Sequence, residues 1–248
     1  MNVLITRPSG QSAPLDRMLQ QAGLHTTLQP LLEIHPLPLD AHMRQQLLDL
    51  DRFNAVVVIS PNAAHYGVEV IESLWPQMPI EQPWFANGQG TAQVLAQAGI
   101  LAETPTTGTT TEDLLAMPRF HNIDGQRWLI IGGEGGRPVL FESLQARGAI
   151  PVKWAAYQRT CPKVDPTQFA SQLAQVDVVL MSSSEALENL HQIAASTKMD
   201  CNAMLTKTLV VSSERLVQVA RNLGWTHIVL AAGASNQQLT DAVLNHIR

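Results

Sequence analysis

Charged residues, cysteines and long apolar runs are all scarce in this 248-residue sequence, and each scarcity argues against a class of function. Only 15% of the residues are charged and the net charge is -5, without a run of Lys or Arg, so the basic surface that nucleic-acid binding needs is missing. Cys161 and Cys201 stand outside any CxxC motif, which argues against a disulfide framework or a thiolate metal site and for a reducing compartment. The charge pattern therefore predicts that the protein has no nucleic-acid partner.

No apolar run approaches the roughly 20 residues that span a bilayer, and residues 1–6 pass straight into a short apolar strand without a basic stretch. This pattern predicts neither a signal peptide nor a membrane partner. Hydrophobic residues nevertheless make up 45% of the chain, enough for a sizeable core in one large or two small domains. The expectation is a soluble, cytoplasmic protein.

Common catalytic and cofactor motifs are also missing. Neither GxSxG nor HExxH occurs, and the eight histidines lack the spacing that gathers metal ligands, so we expect no metal site. The stretch "GGEGGRP" follows a hydrophobic strand, and Gly133 and Gly135 fit the first two positions of a GxGxxG nucleotide loop. Pro138 occupies the third position, however, "VKWAAYQR" downstream contains no acid, and no Lys-Ser or Lys-Thr follows the glycines. These departures argue against a nucleotide site.

Short apolar runs recur along the chain, and each precedes a segment with the apolar spacing of a helix. The predicted strands are Val3–Thr6, Ala55–Ile59, Arg127–Ile131, Val176–Met181, Thr208–Val211 and His227–Ala231. Strands that alternate with helices predict parallel sheets covered on both faces. The expected fold class is therefore α/β.

An internal repeat divides this pattern in two. The segment "VLITRPSGQSAPLDRMLQQAG" from Val3 aligns without gaps with "WLIIGGEGGRPVLFESLQARG", which starts 125 residues later at Trp128. Three further segment pairs follow in the same order at nearly the same offset, among them "AVVVISPNAA" from Ala55 with "DVVLMSSSEA" from Asp177. Four ordered pairs predict two similar α/β domains.

The chain is predicted to cross between these domains twice. Pro30–Pro38 and Ala155–Pro162 contain prolines, each close a strand-helix-strand unit, and lie 125 residues apart, so we interpret them as paired connectors. Domain 1 then comprises residues 1–35 and 162–248, domain 2 comprises residues 38–158, and the connectors are residues 36–37 and 159–161. This path predicts a bilobed molecule with a cleft.

Residues with hydroxyl groups open many of the predicted helices. The predicted helix starts of this kind are Ser60-Pro61, Thr109–Glu112, Ser182–Glu185, Ser212–Arg215 and Ala234–Gln238. Helix capping explains each hydroxyl taken alone. Taken together, they lie at the carboxyl ends of parallel strands, where hydroxyls and backbone N–H groups suit anions.

Arg137 and Tyr157 are further candidates, each with a purely structural alternative. Arg137 precedes Pro138, the predicted first residue of a helix, where a cation opposes the helix dipole unless an anion is present. It is therefore either a solvated turn residue or an anion ligand. Tyr157 lies on a predicted connector and is either a half-buried strand residue or a residue of the cleft floor. The second tyrosine, Tyr66, is expected to pack in a helix.

Short motifs follow one another over nearly the whole chain in an order that a known family shares. They are "VLITRP" from Val3, "PLLEI" from Pro30, "VVVISPNAA" from Val56, G-x-x-T-A from Gly88, "TTEDLLAMP" from Thr110, "GGEGGRPVLFESLQARGA" from Gly132, "YQR" from Tyr157 and "VVSSERLVQVARNLGW" from Val210. Their order and spacing resemble the uroporphyrinogen-III synthase family. The resemblance implies two similar flavodoxin-like α/β domains joined by a two-stranded linker, the first domain being discontinuous.

The resemblance also implies a reaction. The linear tetrapyrrole hydroxymethylbilane loses water and closes to uroporphyrinogen III with its last pyrrole ring inverted, through a spiro intermediate and without a cofactor. Such a protein is a cyclising lyase of porphyrin and heme biosynthesis. Because the bilane closes unaided to the uninverted isomer, the main task is to hold it folded so that the substituted carbon of the last ring is attacked.

Residue roles of the family are expected at the matching positions of this sequence. Tyr157 is the expected catalytic residue, which hydrogen-bonds or protonates the departing hydroxyl. The expected substrate-binding residues are Ser60, Gly88, Thr91, Arg137, Ser182, Ser183, Ser213 and Ser235. Asn62 and Gly132 stand where arginines are expected, so two cationic contacts differ from the family pattern.

A second hypothesis stays open beside the synthase. A bilobed binding or regulatory protein that closes on a small anion without turnover fits the cleft and the helix starts equally well. Under the synthase hypothesis the substrate is hydroxymethylbilane, a transient contact with hydroxymethylbilane synthase is expected, and the chain is expected to be a monomer.

Overall fold

The chain forms two compact units in the computed structural model, which describes residues 1–79, 81–196 and 201–247. Unit 1 comprises Met1–Ile34 and Thr160–Arg248, and unit 2 comprises His35–Arg159. Unit 1 is therefore built from both ends of the chain and unit 2 from its middle.

Strands and helices alternate along both units. The strands are β1 (Asn2–Ile5), β2 (His25–Leu28), β3 (Glu33–Pro36), β4 (Ala55–Val58), β5 (Trp84–Ala86), β6 (Ala102–Glu103), β7 (Arg127–Gly133), β8 (Ile150–Thr160), β9 (Val178–Met181), β10 (Thr208–Val211) and β11 (Ile228–Leu230). The helices are α1 (Ala13–Gln21), α2 (Ala41–Leu48), α3 (Pro61–Leu74), α4 (Gln89–Gln97), α5 (Thr111–Leu115), α6 (Val139–Ala146), α7 (Pro166–Ala174), α8 (Ser184–Ser196), α9 (Cys201–Leu205), α10 (Glu214–Asn222) and α11 (Asn236–Ile247). Single 3-10 turns lie at Leu50–Arg52 and Pro118–Phe120. The predicted α/β fold class is confirmed.

Unit 1 contains a five-stranded sheet in the order β11-β10-β9-β1-β2, with parallel neighbours throughout. Successive side chains of a strand point to opposite faces. Leu4 of β1 packs with Leu190 of α8 in one core cluster. Its neighbours Val3 and Ile5 pack with Leu15 of α1 in a second cluster. Helices thus cover both faces, which explains why β9 is buried at every position.

The second sheet has six strands in the order β3-β8-β7-β4-β5-β6, in which the pairs from β8 to β6 are parallel. It belongs to unit 2 except for the first two residues of β3 and the last residue of β8. One side of its core is aromatic. The rings of Phe85 and Trp128 stack at 5.6 Å between centroids, and Phe120 lies 4.8 Å from Trp128. Such ring pairs add about 0.5 to 1.5 kcal/mol each beyond the burial of their area.

The six predicted strands are all present, with ends within two residues of the prediction. Strands β3 and β8 overlap the two segments that were interpreted as connectors. The prediction missed β2, β5 and β6, because β2 and β6 are partly exposed and β5 has only three residues. Among the described residues, no helix is long and apolar enough to cross a membrane.

Three predicted helix starts were wrong by one residue. The capping box is Thr110 with Asp113, not Thr109 with Glu112, because the shorter Asp113 carboxylate accepts the Thr110 N–H at 2.8 Å. For α8, Ser183 rather than Ser182 accepts a free N–H of the first turn, that of Ala186 at 3.3 Å. For α6, Pro138 precedes the helix, which begins at Val139 after two glycines with positive φ.

Candidate functional site

The carboxyl ends of four neighbouring strands in unit 2 surround a pocket of about 340 Å³. Ile59 and Ser60 follow β4, Asn87 follows β5, Gly133 ends β7, and Tyr157 lies near the end of β8. Ligands of parallel α/β sheets bind at this edge, because helix N-termini and loop residues meet there. This pocket is the candidate functional site of unit 2.

A hydrogen bond between Tyr157 and Ser60 lies at the centre of this pocket. Their hydroxyl oxygens are 3.1 Å apart, and Tyr157 is only 3% exposed. Ser60 is the N-cap of α3, and its Oγ accepts the Ala63 N–H at 3.0 Å. The predicted capping role of Ser60 is confirmed, and the same hydroxyl also contacts the phenol.

A β-bulge decides which side chain of β8 lies beside Gly133. Strands β7 and β8 pair regularly as far as Gly132 with Ala155, but the next pair is Gly133 with Tyr157, so Ala156 is the extra residue. A bulge of this kind bends a strand and redirects its side chains. The Glu134 N–H donates to the Tyr157 carbonyl at 2.7 Å and holds the backbone just after the bulge.

Arg137 lines the pocket with its guanidinium paired to Glu112. The distances are 2.9 Å from Nη1 to Oε1 and 3.4 Å from Nη2 to Oε2, and both side chains are more than half exposed. A hydrogen bond from its own backbone N–H and the bond from Arg137 lower the pKa of Glu112. Neither predicted alternative for Arg137 included this ion pair with Glu112.

Two further pocket cations, Lys153 and Arg159, were not predicted as site residues. Lys153 donates from Nζ to the Gly135 carbonyl at 2.9 Å, and both cations lie on β8, the strand that carries Tyr157. Closeness to Tyr157 in the chain was the available signal. It did not identify them, because the direction of each side chain depends on how β8 pairs with β7 and, for Arg159, also on the bulge.

Gly88 and Thr91 support Asn87 at the end of β5. Gly88 is the N-cap of α4, and its carbonyl accepts the Thr91 N–H at 3.1 Å. The Thr91 hydroxyl, on a side chain that is only 2% exposed, donates to Asn87 Oδ1 at 2.9 Å. Asn87 itself lines the pocket. Asn87 was not predicted as a site residue, because the strand before it, β5, was not predicted.

The predicted residues of unit 1 lie at the carboxyl ends of its strands. Ser182 follows β9 and is exposed, whereas Ser183, Ser213 and Ser235 cap α8, α10 and α11. The three capping hydroxyls accept backbone N–H groups at 3.3 to 3.4 Å. Because β9, β10 and β11 are neighbours in the sheet, the positive ends of three helices meet at one edge.

Arg7 is a cation at this edge of unit 1 that was not predicted as a site residue. It follows β1 and donates to Asn236 Oδ1 at 2.6 Å and to the Ala234 carbonyl at 2.9 Å. Burial lowers the pKa of Arg7, although an arginine stays protonated in proteins. The signal for Arg7 was its place in "VLITRP", the first motif of the chain.

Within the described ranges, no group of three or more His, Cys, Asp or Glu side chains is arranged to hold a metal ion. The polar groups of the pocket include the hydroxyls of Ser60 and Tyr157 and the cationic side chains of Arg137, Lys153 and Arg159. Hydroxyls, cations and the N-terminus of α3 together suit an anionic ligand.

Each of the two α/β units has hydroxyls and helix N-termini at the carboxyl ends of parallel strands. This arrangement is typical of the doubly wound α/β proteins, a class that binds ligands at this edge of the sheet. A family model described as "Uroporphyrinogen-III synthase HemD" matches residues 13–241. The chain belongs to the uroporphyrinogen-III synthase family.

Relatives agree with this assignment, and solved structures of low sequence identity share the fold. The uroporphyrinogen-III synthase of Escherichia coli K12 is 31% identical over 249 residues, which cover 98% of this chain and all of the relative. That of Synechococcus elongatus is 30% identical over 85% of this chain and 81% of the relative. Crystal structures of the synthases from Thermus thermophilus (TM-score 0.66, 16% identity, 100% and 98% of the two chains) and Helicobacter pylori (TM-score 0.64, 14% identity, 100% and 99%) share the fold.

Proposed function

We propose that this chain is a uroporphyrinogen-III synthase, a cyclising lyase of tetrapyrrole synthesis that converts hydroxymethylbilane to uroporphyrinogen III. Family membership over nearly the whole chain supports the reaction. The observation that supports a chemical role for unit 2 is the buried Tyr157 hydroxyl, 3.1 Å from Ser60 in a pocket with cationic walls.

The reaction loses one water and forms one carbon–carbon bond. The bond between the hydroxymethyl carbon and its oxygen breaks, and that carbon joins the substituted carbon of the last pyrrole ring to give a spiro intermediate. The bond from that ring carbon to its original methylene bridge then breaks, the methylene joins the free α-carbon of the same ring, and the proton lost from this carbon balances the one given to the departing oxygen. Under this proposal Tyr157 donates a hydrogen bond or its proton to the departing oxygen, which leaves as water. Ser60 holds the phenol oxygen in place for that step.

The substrate carboxylates bind the cations and helix N-termini in this proposal. Acetate and propionate groups make the bilane a polyanion, and a hydrogen bond to a charged group contributes about 1.5 to 3 kcal/mol. Arg137, Lys153 and Arg159 in unit 2 therefore supply contacts that Asn62 and Gly132 cannot. Ser60, Ser182, Ser183, Ser213 and Ser235, with the backbone N–H groups beside them, are further proposed contacts, together with Gly88. Thr91 is only 2% exposed and donates to Asn87, so its proposed role is to hold Asn87.

Product analysis tests the proposal. The purified protein is incubated with freshly prepared hydroxymethylbilane, the products are oxidised to porphyrins, and the type I and type III isomers are separated. The expected result is type III, against type I alone in a reaction without protein. Formation of type I alone with the protein present would contradict the proposal, and stoichiometric binding without turnover would favour the binding-protein hypothesis.

Three further properties of the protein stay predictions under this proposal. They are a monomeric state, a cytoplasmic location and a transient contact with hydroxymethylbilane synthase. Sedimentation tests the first. A coupled assay tests the last, because a contact predicts a higher ratio of type III to type I when both enzymes act together than when the bilane is added free.

A further inference from the structure

Gly133 at the end of β7 lies directly beside the Tyr157 ring. A methyl group added at Gly133 would lie 2.6 Å from Tyr157 Cζ and 2.9 Å from both Cε2 and Oη. Gly135, two residues on, has a φ of +73°, a conformation that favours glycine, whereas Gly133 is the last residue of β7 and has no positive φ. The reason for glycine at position 133 is therefore space for the phenol and not backbone conformation.

We propose that Gly133 is a positioning residue for Tyr157. The bulge at Ala156 places Tyr157 opposite Gly133, and the missing side chain lets the ring approach the backbone of β7 with its hydroxyl at Ser60. This inference rests on the proposed function, in which Tyr157 is the catalytic residue.

The surroundings leave the ring little freedom to adjust. Tyr157 is 3% exposed, and the ring of Tyr66 in α3 lies 6.1 Å from it, centroid to centroid. Carbon atoms pack at about 3.5 to 4.0 Å, so a methyl group at Gly133 displaces the ring by about 1 Å. The 3.1 Å hydrogen bond to Ser60 is already slightly longer than the usual range of about 2.5 to 3.0 Å for two hydroxyls. A displacement of that size therefore breaks it or changes its direction.

The first test observes the ring directly. Because the chain has two tyrosines, labelling with 3-fluorotyrosine gives two ¹⁹F resonances, which the Tyr66→Phe variant assigns. Gly133→Ala is expected to shift the Tyr157 resonance. An unchanged Tyr157 resonance in folded Gly133→Ala would overturn the proposal, whatever the protein catalyses.

The second test is a double-mutant cycle in stability, with Gly132→Ala as the matched control. A methyl group at Gly132 would lie 2.8 Å from Ile59 Cδ1, a similar overlap with a different partner. Removing the ring with Tyr157→Ala should abolish the stability loss caused by Gly133→Ala and leave that caused by Gly132→Ala. If Gly133→Ala alone fails to fold, recovery of folded protein in the double variant gives the same answer. An equal loss in both backgrounds would contradict the proposal.

The third test uses the reaction. Gly133→Ala is expected to lower kcat for type III formation about 10- to 100-fold with KM nearly unchanged, since a displacement of about 1 Å can cost that much. In a Tyr157→Phe background the same change should cause no further loss, and a full further loss would contradict positioning through the phenol. If the unmodified protein forms no type III isomer, the proposed function fails, while the ¹⁹F and stability tests still decide the role of Gly133.

Discussion

The Tyr157 hydroxyl combines deep burial with a single hydrogen bond to a helix cap. Burial keeps the phenol away from bulk water, and the bond to Ser60 Oγ fixes its direction. The ring packs whether or not it bears the oxygen. Tyr157→Phe, which removes only that oxygen, therefore tests the chemical role of the hydroxyl while the packing of the ring is kept.

Tyr157→Phe is expected to slow type III formation by about 100-fold, the lower end of what a positioned proton donor contributes. Loss of one modest hydrogen bond should change the free energy of unfolding by only about 1 kcal/mol. Initial rates of type III formation and thermal denaturation measure the two effects. Wild-type turnover in the variant would show that the hydroxyl is dispensable.

Arg137→Ala is expected to raise KM for the bilane without changing the product isomer, because the guanidinium helps to bind the substrate and does not orient its last pyrrole ring. The matched control is Glu112→Gln, which removes the internal competitor at 2.9 Å and leaves the arginine. That variant should lower KM. Steady-state kinetics with isomer analysis measure KM and the product isomer in both variants. A wild-type KM in Arg137→Ala would show that the arginine is only a solvated turn residue.

Glu112 also predicts a pH dependence of stability. Its pKa is lowered in the folded protein, so its contribution is fully present above the ordinary glutamate pKa of about 4.3 and is lost as the pH falls through the lowered value. The difference in melting temperature between wild type and Glu112→Gln should therefore be present at neutral pH and vanish in strong acid. Because both partners are exposed, the difference should be small. A difference that grows on acidification would contradict this account.

Helix α3 depends on the same serine that contacts the phenol. Ser60→Ala removes the N-cap and is expected to lower the free energy of unfolding by about 1 kcal/mol, and to slow type III formation because Tyr157 loses its partner. Asp165→Ala is the matched control, since Asp165 Oδ1 caps α7 by accepting the Gln168 N–H at 2.7 Å and lies outside the pocket. The Asp165→Ala variant should lose a similar free energy of unfolding and keep wild-type activity. Chemical denaturation and isomer assays distinguish the two.

Unit 2 is continuous in the chain and has its own sheet and aromatic core. A fragment of residues 33–160, which keeps β3 and β8 complete, is therefore expected to fold alone, because its strands pair and its helices pack within that range. Cooperative thermal unfolding followed by near-ultraviolet circular dichroism measures this. Phe120→Ala in the fragment, which opens the aromatic core, should lower stability by about 3 to 5 kcal/mol. A fragment without cooperative unfolding would show that unit 2 needs the rest of the chain.

Both the alternation of strands with helices and the duplication followed from the sequence alone. Apolar runs, helical spacing and N-cap residues act over a few neighbouring residues, so a linear reading detects them. The cap at Ser60 is an example, since its bond to the Ala63 N–H spans three residues. Short strands such as β6 were not predicted, because a strand of two residues is too short to show a periodic pattern.

Tertiary structure alone decided how the site residues meet. Tyr157 and Ser60 are 97 residues apart in the chain, and Arg137 and Glu112 are 25 apart. These contacts depend on strand order, and for Tyr157 also on the one-residue bulge at Ala156, which no local pattern in the sequence marks. The reason is physical: side-chain direction in a sheet changes with a shift of one residue in register, and only the folded sheet sets that register.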